Sequence, residues 1–339
     1  MRTALLLLAL AGCGRWNFAQ ADADEADADV GAIDTTSAAV FPSCAAQAPG
    51  ADHACGFGGV EDCCGSFAIP AQSFMRDGNG GYPATISSFR LDAYLVTVGR
   101  FRSFVDAVAA GWRPADGAGK HTHVNGGMGL VNSGADGGFE DGWQSAWNAF
   151  LPTTFGDWDT QLMHAAGMTT WTSTPGAYEN YPIGVLQWYQ AYAFCIWDGG
   201  FLPSEAEWND AAQGGDANNP YPWGTAPLDA SLSVYNDVYT GPVNRLPVGS
   251  LPAGNARWGQ SDLSGEAWEW TLDGWAAPYA TAGCDDCADL APPRDERSIR
   301  GGCSSCSGNG GKMGGQSHGT SNPEEAENEN NGVRCARAP

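Results

Sequence analysis

Cysteine is the residue type in this sequence with the most potential for chemistry. The chain has 11 cysteines, and four of them follow the spacing Cys284-x2-Cys287-x15-Cys303-x2-Cys306. Four thiolates at such a spacing are typical of a structural zinc site. The same cysteines could instead form disulfides, or Cys306 could form a copper or other redox site with Cys303, because copper(I) prefers soft thiolate ligands. The choice between a zinc site, disulfides and a redox site depends on the cellular compartment of the protein, since disulfides persist only in oxidising surroundings.

The N-terminus has the features of a bacterial export signal. A short basic start precedes an apolar run at residues 4–11, which is far too short to span a bilayer. The run ends in the letters LAGC, which resemble the lipobox at which a cysteine is acylated. We therefore expect residues 1–12 to be a lipoprotein signal peptide and Cys13 to carry the lipid, with an ordinary signal peptide as the alternative. Gly14, rather than Asp, follows the cysteine, which favours the outer membrane.

The predicted location is therefore the cell envelope, with the chain lipid-anchored at the periplasmic face of the outer membrane or at the cell surface. More than one acyl chain is needed for stable anchoring, and we expect membrane contact through this anchor only. An exported chain with so many cysteines favours disulfides over zinc for Cys284, Cys287, Cys303 and Cys306.

Two segments connect the predicted anchor to the globular part. Residues 20–40 are rich in Ala, Asp, Thr and Ser and lack an aromatic residue, so residues 13–43 are a predicted disordered tether. Residues 44–66 form a predicted cysteine-rich cap, with a metal site as the alternative. Its four cysteines allow three pairings, and Cys63 and Cys64 should take different partners because a bond between adjacent cysteines strains the backbone. The cysteines of the cap are Cys44, Cys55, Cys63 and Cys64.

Apolar spacing predicts a small number of regular elements in the rest of the chain. Residues 89–97 alternate as a strand does, and Thr97 is a predicted cap for a helix that follows it. A second helix runs through Trp188 and Cys195. A third begins at Ser204, where Glu207 completes a capping box, and ends at a Gly-Gly pair.

Two histidines, His121 and His123, stand in a Gly-, Asn- and Trp-rich stretch at residues 113–180. On a strand, residues two positions apart lie on one side, and two imidazoles there could bind a metal. The lack of periodicity around them favours a polar loop instead.

Several sequence blocks occur in an order that resembles the formylglycine-generating enzyme (sulfatase-modifying factor) family. The blocks read AYAFCIWDGGFLPSEAEWNDAAQGG, YPWG, PVGS, DLSGEAWEW, IRGG and GVRCA, and the similarity extends from about residue 84 to residue 336. The resemblance implies an α+β domain at residues 67–339 with the C-type-lectin-like fold of that family, rich in loops and poor in regular secondary structure.

The resemblance also implies a disulfide and a calcium site. Cys195 and Cys335 correspond to a family disulfide that ties a helix to the end of the chain. The loop that includes Ser264, Gly265 and Ala267 corresponds to a structural calcium site built from backbone carbonyls, with Glu269 as the expected side-chain ligand. Oxygen ligands of this kind suit calcium. The same comparison suggests Asn236 for a second calcium loop.

The oxidase members of this family bind copper(I) through two cysteines and, with oxygen, convert the cysteine of a Cys-x-Pro-x-Arg segment into formylglycine. By the same correspondence, Cys306 takes the first copper position, and Cys303 replaces the serine of the RGGS block. The second copper position falls on Gly311, which has no ligand atom. Cys306 and Cys303 are thus the candidate catalytic residues of an incomplete site, and copper is expected only if the chain is an oxidase. His318 is a lone candidate acid or base and fits a solvated loop better.

These features favour a surface binding module, or an unassigned role, over a copper- and oxygen-dependent oxidase; a structural envelope protein is the third hypothesis. The chain has 39 acidic and 16 basic residues and a net charge of −23, so nucleic acid would be repelled. The expected partner is a protein or a small molecule, and the expected state is a monomer.

Overall fold

The structure is a computed structural model that describes residues 41–134, 137–163, 169–239, 243–279, 283–290, 296–307, 314–324 and 330–339. Within those ranges, no helix combines the length and the apolar character needed to cross a membrane. The predicted signal peptide, the predicted lipid attachment site Cys13, the part of the predicted tether up to residue 40, and Gly311 lie outside the described residues.

Four α-helices stand in the described part of the chain. They are α1 (Val98–Ala109), α2 (Phe155–Leu162), α3 (Trp188–Trp197) and α4 (Glu205–Gln213). Helices α1, α3 and α4 lie where the sequence predicts them. Helix α2 was not predicted because it has two turns only, and an apolar period is hard to recognise over so short a segment.

The predicted caps are confirmed. The side chain of Thr97 accepts a hydrogen bond from the backbone NH of Arg100 at the start of α1. At α4, Ser204 and Glu207 form the reciprocal capping box, which satisfies two backbone NH groups that the helix leaves free. The helix ends at Gly214, whose φ of 67° is the left-handed conformation that glycine adopts without steric cost.

Within the described ranges, the strands form four small sheets. In chain order they are β1 (Ser66–Ile69), β2 (Gln72–Met75), β3 (Pro83–Ile86), β4 (Phe89–Asp92), β5 (Val131–Asn132), β6 (Trp268–Gly274), β7 (Cys284–Asp285), β8 (Cys287–Ala288), β9 (Arg297–Gly301), β10 (Gly314–Ser321), β11 (Asn331–Gly332) and β12 (Ala336–Arg337). The sheet orders are β1-β4-β12, β10-β9-β6-β11, β2-β3-β7 and β5-β8. Most strands are short, and the mixed, loop-rich class predicted from the sequence is confirmed.

The predicted strand at residues 89–97 is shorter in the structure. Only Phe89–Asp92 pair as β4, between β1 and β12. Beyond them the chain remains tied to distant backbone: the NH of Val96 donates to the carbonyl of Val333. Residues 91–97 are all buried although the strand ends at Asp92, so packing on both sides, rather than a longer strand, explains the apolar residues here.

Aromatic rings fill the core between helices α1, α2 and α3. Phe101 packs against Phe104, Trp158 and Phe194 with ring centroids 5.3–5.7 Å apart. These rings are all fully buried, and each buried large side chain of this kind contributes about 1.5–3 kcal/mol of transfer free energy.

Two tryptophans link α3 to strand β6. The indole NH of Trp188 donates to the carbonyl of Thr271, and that of Trp270 donates to the carbonyl of Leu186, each at 2.8 Å. Both rings are buried, so each polar NH needs such a partner. The bonds fix α3 against the central sheet and thereby position the aromatic side chains around it.

The cysteine-rich cap contains two disulfides, Cys44–Cys64 and Cys55–Cys63. The adjacent cysteines take different partners, as predicted. Part of the segment predicted as tether is folded: the backbone NH of Ser43 donates to Asp198 at 3.0 Å, and the guanidinium of Arg337 lies 4.0 Å from the centre of the Phe41 ring.

Candidate functional site

The turn after strand β9 contains the candidate catalytic cysteines. Gly301 and Gly302 end the strand with φ of 95° and 88°, and the next residues turn so that the NH of Cys306 donates to the carbonyl of Cys303 at 3.0 Å. The two sulfur atoms are bonded to each other. Cys303 is buried, whereas Cys306 is half-buried. In this arrangement neither sulfur is a thiolate.

Neighbouring segments hold this turn in place. The backbone NH groups of Asn236 and Asp237 donate to the carbonyls of Cys306 and Ser304, each at 2.9 Å, and Asn330 donates to the hydroxyl of Ser305 at 3.2 Å. A copper(I) site would need thiolates here, and the described residues at this turn do not supply them.

The other two cysteines of the zinc-like spacing also form a local pair. Cys284 and Cys287 are bonded to each other across the junction of β7 and β8. The four cysteines therefore make two separate disulfides. Among the residues that the structure describes, no group of three or more His, Cys, Asp or Glu side chains is placed to hold a metal ion.

Cys195 and Cys335, the pair implied by the resemblance, are bonded in the structure. Both are buried. The bond joins α3 to the segment between β11 and β12, across a sequence separation of 140.

Glu269, the expected calcium ligand, has another role in the structure. Its carboxylate accepts hydrogen bonds from Nε and Nη2 of Arg334, each at 3.0 Å, and from the indole NH of Trp208 at 2.8 Å. All three side chains are buried. A bidentate guanidinium neutralises the carboxylate, so Glu269 does not offer the free anionic oxygens that a calcium ligand needs.

The backbone carbonyls of the expected calcium loop also accept hydrogen bonds from other groups of the protein. The carbonyl of Ser264 accepts from the hydroxyl of Ser233 at 2.6 Å, and that of Gly265 accepts from the NH of Ala267 at 2.7 Å. Asn236 is exposed. The nearby Glu266 is buried, and burial together with the Asp262 carboxylate raises its pKa well above the usual value. Calcium binding stays a prediction, and the residues named for it do not fit the ion in this arrangement.

His121 and His123 do not form a metal-binding pair in the structure. The ring nitrogens of His121 lie 3.0 Å from Glu140 and 3.1 Å from Glu207. Burial alone would lower the pKa of His121, but the two carboxylates outweigh it and raise the pKa to about 10. His121 is thus a buried imidazolium, while the ring of His123 stacks on Phe201 at 5.4 Å.

The prediction that His318 is a solvated loop residue is wrong. It lies on strand β10 with a side chain only 12% exposed. Its ring contacts Trp275, with centroids 4.3 Å apart, and its Nε2 lies 2.8 Å from the hydroxyl of Ser298. Burial and the Arg300 guanidinium lower its pKa to about 3, so the ring is neutral at physiological pH. Strand β10, Gly314–Ser321, is rich in polar residues and pairs with β9.

A cavity that the sequence did not indicate opens beside α3 and β6. Its volume is about 380 Å³. Rings from Trp147, Trp188 and Tyr192 form its walls, with Leu272 and the half-buried Arg297 beside them. We refer to it as the aromatic cavity. Its residues come from four separate parts of the chain, so no local motif could reveal it.

The family described as "Sulfatase-modifying factor enzyme 1-like domain" matches residues 64–339. The chain belongs to this family. A formylglycine-generating enzyme of Thermomonospora curvata is 28% identical over 230 residues, which cover 61% of this chain and 67% of that enzyme. The mouse "Inactive C-alpha-formylglycine-generating enzyme 2" is 34% identical over 111 residues, 31% of this chain and 34% of that protein.

The solved structure of PvdO from Pseudomonas aeruginosa has the same fold as this family member. The TM-score is 0.52 at 20% sequence identity, with 82% of this chain and 95% of the other chain covered. The predicted fold type is thus confirmed. The chain spans only about a third of the mouse relative and two thirds of the Thermomonospora enzyme.

Proposed function

We propose that this family member is a lipid-anchored protein of the cell envelope that binds a small molecule and does not oxidise cysteine. The observation that supports the loss of oxidase activity most directly is the bond between Cys303 and Cys306. A disulfide has no thiolate to offer copper(I), and Gly311, at the second copper position implied by the resemblance, has no side chain.

The aromatic cavity supports the binding role. Its volume of about 380 Å³ lies within the range of roughly 300–1,000 Å³ that is usual for small-molecule sites. Trp147 packs edge-on against Trp143 and Trp188, with centroids 5.4 Å apart in both pairs. Contacts of this kind hold the walls in place before a ligand arrives, which lowers the entropy cost of binding.

Two sequence features support the proposed anchor and location. The lipobox-like segment that ends at Cys13, with the acidic tether after it, suits a domain held at a short distance from a membrane. We further propose that the domain is a monomer.

An oxidase assay tests the proposal. Purified protein without residues 1–13 is incubated with copper(I), oxygen and a Cys-x-Pro-x-Arg peptide, and the peptide is examined by mass spectrometry for formylglycine. We predict no conversion above that of the Cys303→Ser/Cys306→Ser variant; the Thermomonospora enzyme, as the positive control, should convert the same peptide.

Oxygen-dependent conversion by the wild-type chain, absent from the double variant, would contradict the proposal. It would establish the alternative, a copper/oxygen-dependent oxidase that acts through Cys306.

A further inference from the structure

Arg297 lines the aromatic cavity, and its guanidinium has an NH group without a hydrogen-bond acceptor among the described residues. Its central carbon lies 4.0 Å from the centre of the Trp188 ring, and its Nη1 donates to the carbonyl of Leu272 at 3.1 Å. Its Nε is buried and has no hydrogen-bond partner among the described residues. The stacking and the single bond fix the planar group while leaving donors unused.

Carboxylates pair with buried arginines elsewhere in this protein, but none pairs with the half-buried Arg297. Arg100 contacts Asp92 at 3.0 Å, and Arg334 contacts Glu269 at the same distance. Within the described residues, no carboxylate oxygen lies within 4.0 Å of the Arg297 guanidinium. Burial lowers the pKa of Arg297, as expected for a cation without a close counterion.

The acidic groups near the cavity offset the burial of this charge only in part: Asp273 and Asp289 act to raise the pKa of Arg297, and burial outweighs them. Glu140 is engaged by the imidazolium of His121 and by the backbone NH of Leu130. Asp273 is buried and hydrogen-bonded to backbone NH groups; burial and the nearby Glu205 raise its pKa to about 8, so it is mostly protonated at neutral pH. Asp141 is exposed, where water screens it.

Apolar side chains form part of the cavity wall beside the guanidinium. Leu272 and Leu290 lie beside the aromatic walls, and Phe139, with 40% of its surface exposed, lies at the edge of the cavity. A ligand could therefore place a flat, apolar group between these side chains while its charged end reaches Arg297.

We infer that the aromatic cavity takes a small organic anion, in which a flat aromatic or hydrocarbon body carries a carboxylate or a similar acidic group that Arg297 binds. The inference rests on the proposed binding function, because it names the ligand class of that same cavity. A bound carboxylate would supply the counterion that Arg297 lacks and accept hydrogen bonds from its unused donors.

Three matched probes test this inference by isothermal titration calorimetry. Naphthalene-1-acetate is an anion, 2-(1-naphthyl)ethanol is neutral, and 2-(1-naphthyl)ethylamine is a cation with a similar body. Wild-type protein should bind the anion at least about 10-fold more tightly than either of the others, because a charge-assisted hydrogen bond is worth more than one such factor. Arg297→Gln should remove this preference, whereas Arg297→Lys should retain part of it.

Arg257→Gln is the matched control, because Arg257 is 43% exposed and pairs with Asp216 on the surface. It removes the same charge and should leave the preference intact; circular dichroism checks the fold of each variant. Equal or tighter binding of the neutral or cationic probe, or no binding of any probe, would overturn the inference. Neither result depends on the oxidase assay. The calorimetry can contradict the ligand class while the oxidase assay still supports the loss of oxidase activity, and the reverse is also possible.

Discussion

The buried charge of His121 holds the loop around residue 140 in place. Its two ring nitrogens face Glu140 and Glu207, and Glu207 also closes the capping box of α4. The imidazolium therefore ties the loop around residue 140 to a helix that begins more than sixty residues later. Removing one partner of a buried pair leaves an uncompensated charge, which typically costs about 3–5 kcal/mol.

This contact predicts a specific pH dependence. The pKa of His121 is about 10 in the folded chain and about 6.5 in an unfolded one, so its contribution to stability is complete below about pH 6.5. It declines by up to about 1.4 kcal/mol per pH unit as pH rises towards 10. Urea denaturation between pH 6 and 9 should show this decline in the wild type and a weaker one in His121→Gln.

His53→Gln is the control, because the side chain of His53 is 55% exposed. Its free energy of unfolding should follow pH as the wild type does. An equal slope in His121→Gln and the wild type would show that His121 is not protonated in the interior.

The disulfide between Cys195 and Cys335 links α3, in the middle of the domain, to the C-terminal segment of the domain. In the chain-entropy model, a link across 140 residues restricts the unfolded chain far more than one across three residues. Cys195→Ser/Cys335→Ser should therefore lower the free energy of unfolding by about 5 kcal/mol, and Cys284→Ser/Cys287→Ser by only about 2 kcal/mol. Denaturant titration without reductant measures both. Equal losses would show that Cys195–Cys335 stabilises the domain no more than a local turn does.

Structural elements that depend on contacts between residues close in sequence could be predicted. Ser204 caps α4 because its hydroxyl reaches the NH of Glu207, three residues away, and both residues are visible in the sequence. The role of Glu269 was not predictable in this way. Its partner Arg334 lies 65 positions later, and only the fold decides whether a loop carboxylate meets a guanidinium or an ion.

The same distinction, between contacts of residues close in sequence and contacts of distant residues, applies to the candidate site. The spacing of Cys303 and Cys306 allowed a local disulfide, which the structure contains. By contrast, Trp147 and Arg297 stand 150 residues apart and meet only because α3 and the central sheet bring them to one cavity. Apolar and charged residues at such distances give no local signal, so the aromatic cavity could not be found from the sequence.

Taken together, the molecule keeps the fold of its family while the turn that resembles the oxidase site is closed by a disulfide. All ten cysteines from Cys44 to Cys335 are paired in the structure. Such complete oxidation agrees with the predicted export of the chain. It leaves binding at the aromatic cavity, rather than thiol chemistry, as the function that the arrangement supports best.

Non-reducing peptide mapping by mass spectrometry tests this account most directly. Native protein, lacking residues 1–13 and purified from an oxidising compartment, is alkylated before digestion so that any free thiol is marked. We predict a peptide in which Cys303 is bonded to Cys306, with no alkylated cysteine at either position. An alkylated Cys306 in the folded protein would contradict it, because a free thiol there would restore the first copper ligand of an oxidase.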